Sequence, residues 1–283
     1  MHLKIEHTIS YRYSPPVTLG VQTVRLHPLP NTRQQVLYFD LEITPSPSFT
    51  TNHTDAENNP LKTAWFEGNH ELINITASSE VITENRNPFD FIITESDLNH
   101  LPLSYPEPDA TLLALYKKSQ KEDDQIVSDF LKPILVQVRN ETVPFLNELV
   151  VHISKTFKKA DRKYGNPWTP EKTIVEGRGA CRDLAWLFIT CCRSLGLAAR
   201  FVSGYHLPFN VRKRPELHAW CEIYLPGAGW LGFDPNLGIA ISERHVAIAA
   251  SFNPTMTLPT SGIFWGKGIK AELDTTISMQ AIK

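Results

Sequence analysis

Cysteine is scarce in this chain: four residues in 283, Cys181, Cys191, Cys192 and Cys221. No two form a CxxC pair, which removes a disulfide framework and a thiolate zinc cluster. Cys191 and Cys192 are adjacent, so on a helix they point about 100° apart, and Cys192 lies roughly 16 Å below Cys181. Reduced thiols follow. An excess of charge is also missing: the formal net charge is -2, and no basic cluster is interleaved with aromatics. That leaves no electrostatic case for nucleic acid or an anionic membrane. No apolar run is long enough to cross a bilayer, and the opening MHLKIEHTISYRYS has no charged segment followed by an apolar one. A cytoplasmic protein is expected. Internal repeats and low-complexity tracts are absent as well.

What is present describes a globular protein. Hydrophobic residues make up 42% and charged residues 20% of the chain, enough apolar material for a sizeable core and room for two domains. From Met1 to about Thr94 apolar and polar residues alternate, as in Leu3, Ile5 and His7 against Lys4 and Glu6, and turn clusters such as PSPS and DAENNP separate the runs. Short alternating strands of this kind predict an antiparallel β-sandwich over 1–100. The prolines of PLSYPEPD mark a boundary. Helical patterns follow at Ala110–Ser119, Asp124–Val138 and Val143–Lys158, giving a helical connection over 101–155, with Pro133 as a kink or break. The run KKSQKEDD reads as a solvated face. Residues 156–250 form the next unit, and 251–283, rich in Ser, Thr and Gly, read as a C-terminal tail.

The chemistry concentrates in that third unit. In EGRGACRDLAWLFITCCRSL, Gly177 and Gly179 break the chain and Cys181 opens a helix. Leu184, Ala185, Phe188, Cys192 and Leu195 share one side; Arg182, Asp183, Thr190, Arg193 and Ser194 fall on the other, and Gly196 closes the helix with a left-handed cap. A thiol in the first turn faces unpaired N–H groups and the positive end of the helix dipole, which favours thiolate. Cys181 is therefore a candidate nucleophile, against the ordinary role of a small buried hydrophobe.

A thiolate nucleophile needs a proton carrier, and the carrier needs an acceptor. In ELHAWCEIYLPGAGWLGFDPN, strand alternation puts His218, Trp220, Glu222 and Tyr224 on one face, with Cys221 on the other. With a hairpin loop at 226–228, Asp234 falls opposite Trp220 and becomes a diagonal neighbour of His218. Glu222 is a competing acceptor. His206 and His245 have no carboxylate on a clear hairpin partner. No pair of His, Cys or carboxylate residues shows ligand spacing with a third nearby, so no metal and no cofactor is expected.

GRGACRDLAWLF, followed by LAARFVSGY, HAWCEIYLPGAGWLGFDP and HVAIA, resembles the transglutaminase-like core of bacterial proteins, a relative of papain-type cysteine hydrolases. Tyr11, Tyr13, Arg25, Leu26 and Pro28 resemble the β domain that often precedes it. The specific motifs span Phe157 to Ala249. The resemblance implies an α+β fold, with a β-sandwich domain before a core whose central helix packs on an antiparallel sheet. It also implies Cys181 as nucleophile, His218 as general acid and base, and Asp234 as its orienter. The chain departs from its relatives at Ala250–Asn253, where a Gly-Arg-Asp-Tyr segment often stands, and at Lys159, where an aromatic is common. For such a triad the backbone N–H of Cys181 is one oxyanion donor, and the Trp168 indole or Tyr164 hydroxyl is a second. The expected substrate is a peptide or protein amide, with an amine as possible co-substrate. Hydrolysis is favoured over acyl transfer because no calcium loop is visible; a non-catalytic binding module is the alternative of another class.

Overall fold

The computed structural model describes residues 1–93, 96–118, 125–162, 164–210 and 215–282. Most of the charge run KKSQKEDD, and with it the end of the Ala110 segment and the start of the Asp124 segment, lies outside the described residues.

The first region is organised by one long strand. β1 (His2–Val24) is followed by β2 (Gln34–Thr44), β3 (Phe49–Thr54), β4 (Pro60–Trp65) and β5 (Asn69–Thr83). They form an antiparallel sheet in the order β2-β5-β1-β4-β3. Alternation is strict where it was legible: Leu3, Ile5, His7 and Ile9 of β1 and Ile73, Ile75, Ala77 and Val81 of β5 are buried on one face.

Short helices α1 (Asp109–Leu112) and α2 (Ala114–Lys117) lead to α3 (Gln125–Gln137) and α4 (Thr142–Thr156). Pro133 lies inside α3, which continues to Gln137 without a break. The core then runs through β6 (Lys158–Lys159), α5 (Pro170–Glu176), β7 (Arg178–Gly179), α6 (Cys181–Ser194), β8 (Ala199–His206), β9 (Leu217–Leu225), β10 (Gly229–Asp234), β11 (Ile239–Ala240) and β12 (His245–Ser251). β6 and β7 make a two-residue parallel ladder. The other five strands form an antiparallel sheet in the order β11-β10-β9-β8-β12.

α6 packs on the face of β9 that carries Ala219, Cys221, Ile223 and Leu225. Its polar side is only partly solvated, at Arg182 and Ser194. Asp183 and Arg193 are buried along with the apolar residues, and the Arg193 guanidinium donates to the carbonyls of Lys118, Ala199 and Phe252. Buried carbonyls at strand and loop ends need donors, which is why a cation is tolerated there. Gly196 ends the helix at φ 81°, and a Cβ there would sit 2.1 Å from the Leu103 carbonyl oxygen.

The expected C-terminal tail is corrected by the register. β13 (Thr260–Trp265) and β14 (Lys270–Ile282) both pair antiparallel with β1, the latter from His2 opposite Ile282 to Ser14 opposite Lys270. β1 would otherwise present an unpaired edge along its first half, and β14 satisfies it. The face of β1 and β5 then packs on Tyr205, Val246 and Ile248 of the core sheet in one hydrophobic cluster. The second layer over the N-terminal sheet is therefore the core's own sheet.

Candidate active site

Cys181 is the first residue of α6 and is half-buried. The helix start is held by Asp183, fully buried, whose carboxylate accepts from the backbone N–H of Ala180 at 2.8 Å and of Trp168 at 2.8 Å. Arg162 donates to the same carboxylate at 2.6 Å. Arg182 donates to the carbonyls of Arg162 and Tyr164, both at 2.7 Å. Two neighbours of the thiol thus pin Arg162, Tyr164 and Trp168 against the helix tip. The Arg162 guanidinium lies over the Trp168 ring at 4.3 Å from its centroid, and the Lys172 ammonium at 4.6 Å.

The hairpin register is the one that alternation requires: Leu225 pairs with Gly229 and Cys221 with Phe233. Continuing that ladder puts Asp234 opposite Trp220 and diagonal to His218. The imidazole Nε2 donates to Asp234 Oδ2 at 2.6 Å, and the Cys181 side chain is near enough to His218 to help raise its pKa. With Nε2 given to the carboxylate, Nδ1 is the nitrogen left for sulfur. Glu222, the competing acceptor, is taken by Arg200 at 2.7 Å. Cys221 faces away and donates its thiol to the Phe233 carbonyl.

Asp234 is completely buried. Its Oδ1 accepts from the N–H groups of Asn236 at 2.9 Å and Leu237 at 3.1 Å, so the turn after β10 anchors the carboxylate. Burial alone would favour its neutral form, but the charge and hydrogen bond of His218, together with the bond from His245, outweigh that and hold its pKa far below the carboxylate range. For His218 burial likewise opposes the charged form. The Asp234 charge and bond, with Cys181, prevail and raise its pKa to about 10.

Two histidines set aside on sequence grounds join the group. His245 Nε2 lies 3.2 Å from the same Asp234 Oδ2, and the His206 ring sits 4.6 Å from His245 and 5.6 Å from His218. Burial, then the neighbouring imidazoles, push the His206 pKa down to about 3. They come from β8 and β12, which pair with His206 opposite His245; no local pattern could have placed β12 beside β8. Ligand-type atoms of His218, Asp234 and His245 fall within 4.8 Å of one another, a proximity invisible in sequence spacing. The Ser242 N–H donates to His245 Nδ1 at 3.2 Å, which keeps the His245 proton on Nε2. That nitrogen offers an N–H to the carboxylate, not a lone pair to a metal.

The Tyr164 hydroxyl donates to the Leu273 carbonyl on β14 at 2.7 Å. It is committed to that carbonyl, which removes it as an oxyanion donor.

A half-buried thiol at a helix tip, with an imidazole and a buried carboxylate from the adjoining sheet, stands on a core in which a helix packs on an antiparallel sheet. Residues 3–82 match the bacterial transglutaminase-like N-terminal region and residues 135–235 the transglutaminase-like superfamily core. The chain belongs to this transglutaminase-like family, in the form that carries the bacterial N-terminal region. It is 24% identical over 293 residues to an uncharacterized protein of Mycobacterium leprae, covering 98% of both chains. An uncharacterized protein of Mycobacterium tuberculosis is 23% identical over 291 residues, covering 98% of this chain and 91% of the relative. A crystal structure from Cytophaga hutchinsonii, described as a candidate cysteine protease, superposes with a TM-score of 0.72 at 18% identity, covering 100% of this chain and 92% of that one. No described helix is long and apolar enough to cross a membrane.

Proposed function

We propose that this protein is a cysteine peptidase or amidase acting on a peptide or glutaminyl amide through Cys181, His218 and Asp234. The observation that carries the reading is the 2.6 Å bond from His218 to the buried Asp234 carboxylate, with the half-buried Cys181 at the tip of α6 among the groups that raise the His218 pKa. The Cys181 sulfur attacks the amide carbon, forming the C–S bond. His218 then protonates the departing nitrogen as the C–N bond breaks, leaving a thioester. Water attacks the thioester, His218 takes its proton, and the C–S bond breaks to release the acid. Asp234 keeps the ring oriented and supports its charge without attacking. The N–H of Cys181, in a first turn that has no intrahelical partner, and the indole N–H of Trp168 serve as oxyanion donors in this reading. Four reduced thiols suit a reducing compartment, and we place the protein in the cytoplasm.

The test is release of ammonia or amine from glutaminyl peptides with and without a primary amine. Release that depends on Cys181 and continues without added amine supports hydrolysis. Amine incorporation that outpaces release replaces it with acyl transfer. Iodoacetamide labelling gives a second check: Cys181 reacts before the buried Cys191, Cys192 and Cys221. Equal labelling of all four would return the protein to the binding-module class.

A further inference from the structure

Asp234 Oδ2 receives two imidazoles at once, His218 Nε2 at 2.6 Å and His245 Nε2 at 3.2 Å. The proton on the second is assigned by its other ring nitrogen. A backbone N–H can only donate, and Ser242 N–H points at His245 Nδ1 at 3.2 Å, so Nδ1 accepts and the ring proton sits on Nε2. The turn that makes this bond is closed by the His245 N–H donating back to the Ser242 carbonyl. His245 is 5% exposed and packed edge-on against Trp220, with ring centroids 5.4 Å apart. Its orientation is therefore set before any substrate arrives.

Position is not what Asp234 lacks, since its Oδ1 is already held by two N–H groups of the β10 turn. What a second donor on Oδ2 changes is how much of that oxygen's charge is left for His218. We propose that His245 is a positioning residue for the reacting pair: its Nε2–H shares Asp234 Oδ2 with His218 and limits how tightly the carboxylate holds the His218 proton. The inference rests on the reading of Cys181, His218 and Asp234 as the reacting group. A proton carrier must both take and release its proton, and an unshared buried carboxylate would hold the imidazolium too firmly to protonate a leaving amine.

The charged and titratable groups around the His245 ring are Asp234 from β10, His218 from β9 and His206 from β8; Arg244 precedes it in the chain, with its guanidinium over Phe209 at 4.7 Å. His206 stays uncharged in this setting, because burial and its two imidazole neighbours depress its pKa. One positive ring therefore shares the cluster with one carboxylate when His218 is protonated.

The test uses the full chain and two replacements. His245→Phe keeps a ring and removes the donor; His245→Gln returns an amide N–H close to the Nε2 position. Ring ¹⁵N spectra of the wild type are expected to show His245 protonated at Nε2 and bare at Nδ1. NMR titration of His218 is expected to move upward by about half a pH unit or more in His245→Phe and back toward wild type in His245→Gln. Amide turnover should fall about tenfold in kcat with little change in KM for His245→Phe, and recover in part with Gln. A proton on Nδ1 of His245, or a His218 titration that is unmoved or moves equally in both variants, overturns the inference; a purely structural role predicts equal movement. A wild type that turns over no amide while the spectra and titrations behave as stated sinks the hydrolase reading alone and leaves the sharing of Asp234 standing.

Discussion

Asp183 shows how one buried carboxylate can fix the setting of a side chain it never touches. Spacing along α6 assigned it to a polar face; in the fold it is sealed at the helix tip, taking the N–H groups of Ala180 and Trp168 and the Arg162 guanidinium. The signal was legible as half a capping box, an acidic side chain at the third helical position bonding back to the residue before the helix. Asp183→Ala leaves two N–H groups and a cation without their acceptor, and is expected to cost about 3 kcal/mol of stability in urea unfolding. At the residues proposed to react the outcome differs. Cys181→Ala should abolish amide turnover with unchanged thermal unfolding. Asp234→Asn should keep the fold and lower kcat by about 10²- to 10⁴-fold, because the wrong ring tautomer is then favoured. The histidine–aspartate pair was readable because both residues sit on one short hairpin whose register is local. His245 was not, since its bond to Asp234 depends on β12 reaching the far edge of the sheet.

At the scale of elements, α6 is the piece whose ends were most legible. Glycine at 177 and 196 brackets it, and both adopt the left-handed backbone, with φ 62° and 81°. Gly196 has a second constraint in the Leu103 carbonyl, which leaves no space for a Cβ. Gly196→Ala is expected to lower stability by about 2 kcal/mol or more, read as a reduced urea midpoint at unchanged slope. The reverse case is β14. Its Leu273, Ile277 and Met279 recur at even spacing, but the intervening Thr and Ser weaken the hydrophobic signal, and composition alone suggested a tail. Pairing with β1 along thirteen residues turns that stretch into the strand that flanks β1 on the side opposite β5.

Across the whole molecule, the two sheets are tied by His7 of β1, bonded to the Tyr205 hydroxyl at 3.0 Å and to Thr275 of β14 at 2.9 Å. Burial lowers the His7 pKa from 6.5 to about 4, so the folded state resists the proton that the unfolded chain accepts. Its contribution to stability is level above pH 6.5, falls as pH drops from 6.5 to 4, and is level again below. His206, lowered to about 3, acts in the same sense. His218 acts in the opposite one: with its pKa raised to about 10, its contribution is full below 6.5 and is lost as pH rises through 10. Thermal unfolding temperature should therefore peak near pH 6.5, and His7→Gln should flatten the acid side. Because Tyr205, Val246 and Ile248 share a cluster with β1 and β5, one cooperative transition is expected for the full chain. Residues 1–100 alone should fail to fold, since they lack both β14 and the layer beneath.

Local chemistry wrote a large part of this protein into its sequence: alternation named the strands, glycine bounded the central helix, and a two-strand hairpin put an imidazole beside a carboxylate. Those features depend on neighbours a few residues apart, where dihedral preferences and side-chain period act directly. The strand that closes the N-terminal sheet, the burial of Asp183 and Arg193 on α6 and the second imidazole on Asp234 depend on segments far apart in the chain. Their pairing follows from which surfaces must leave water together, a condition met only once the whole chain has packed.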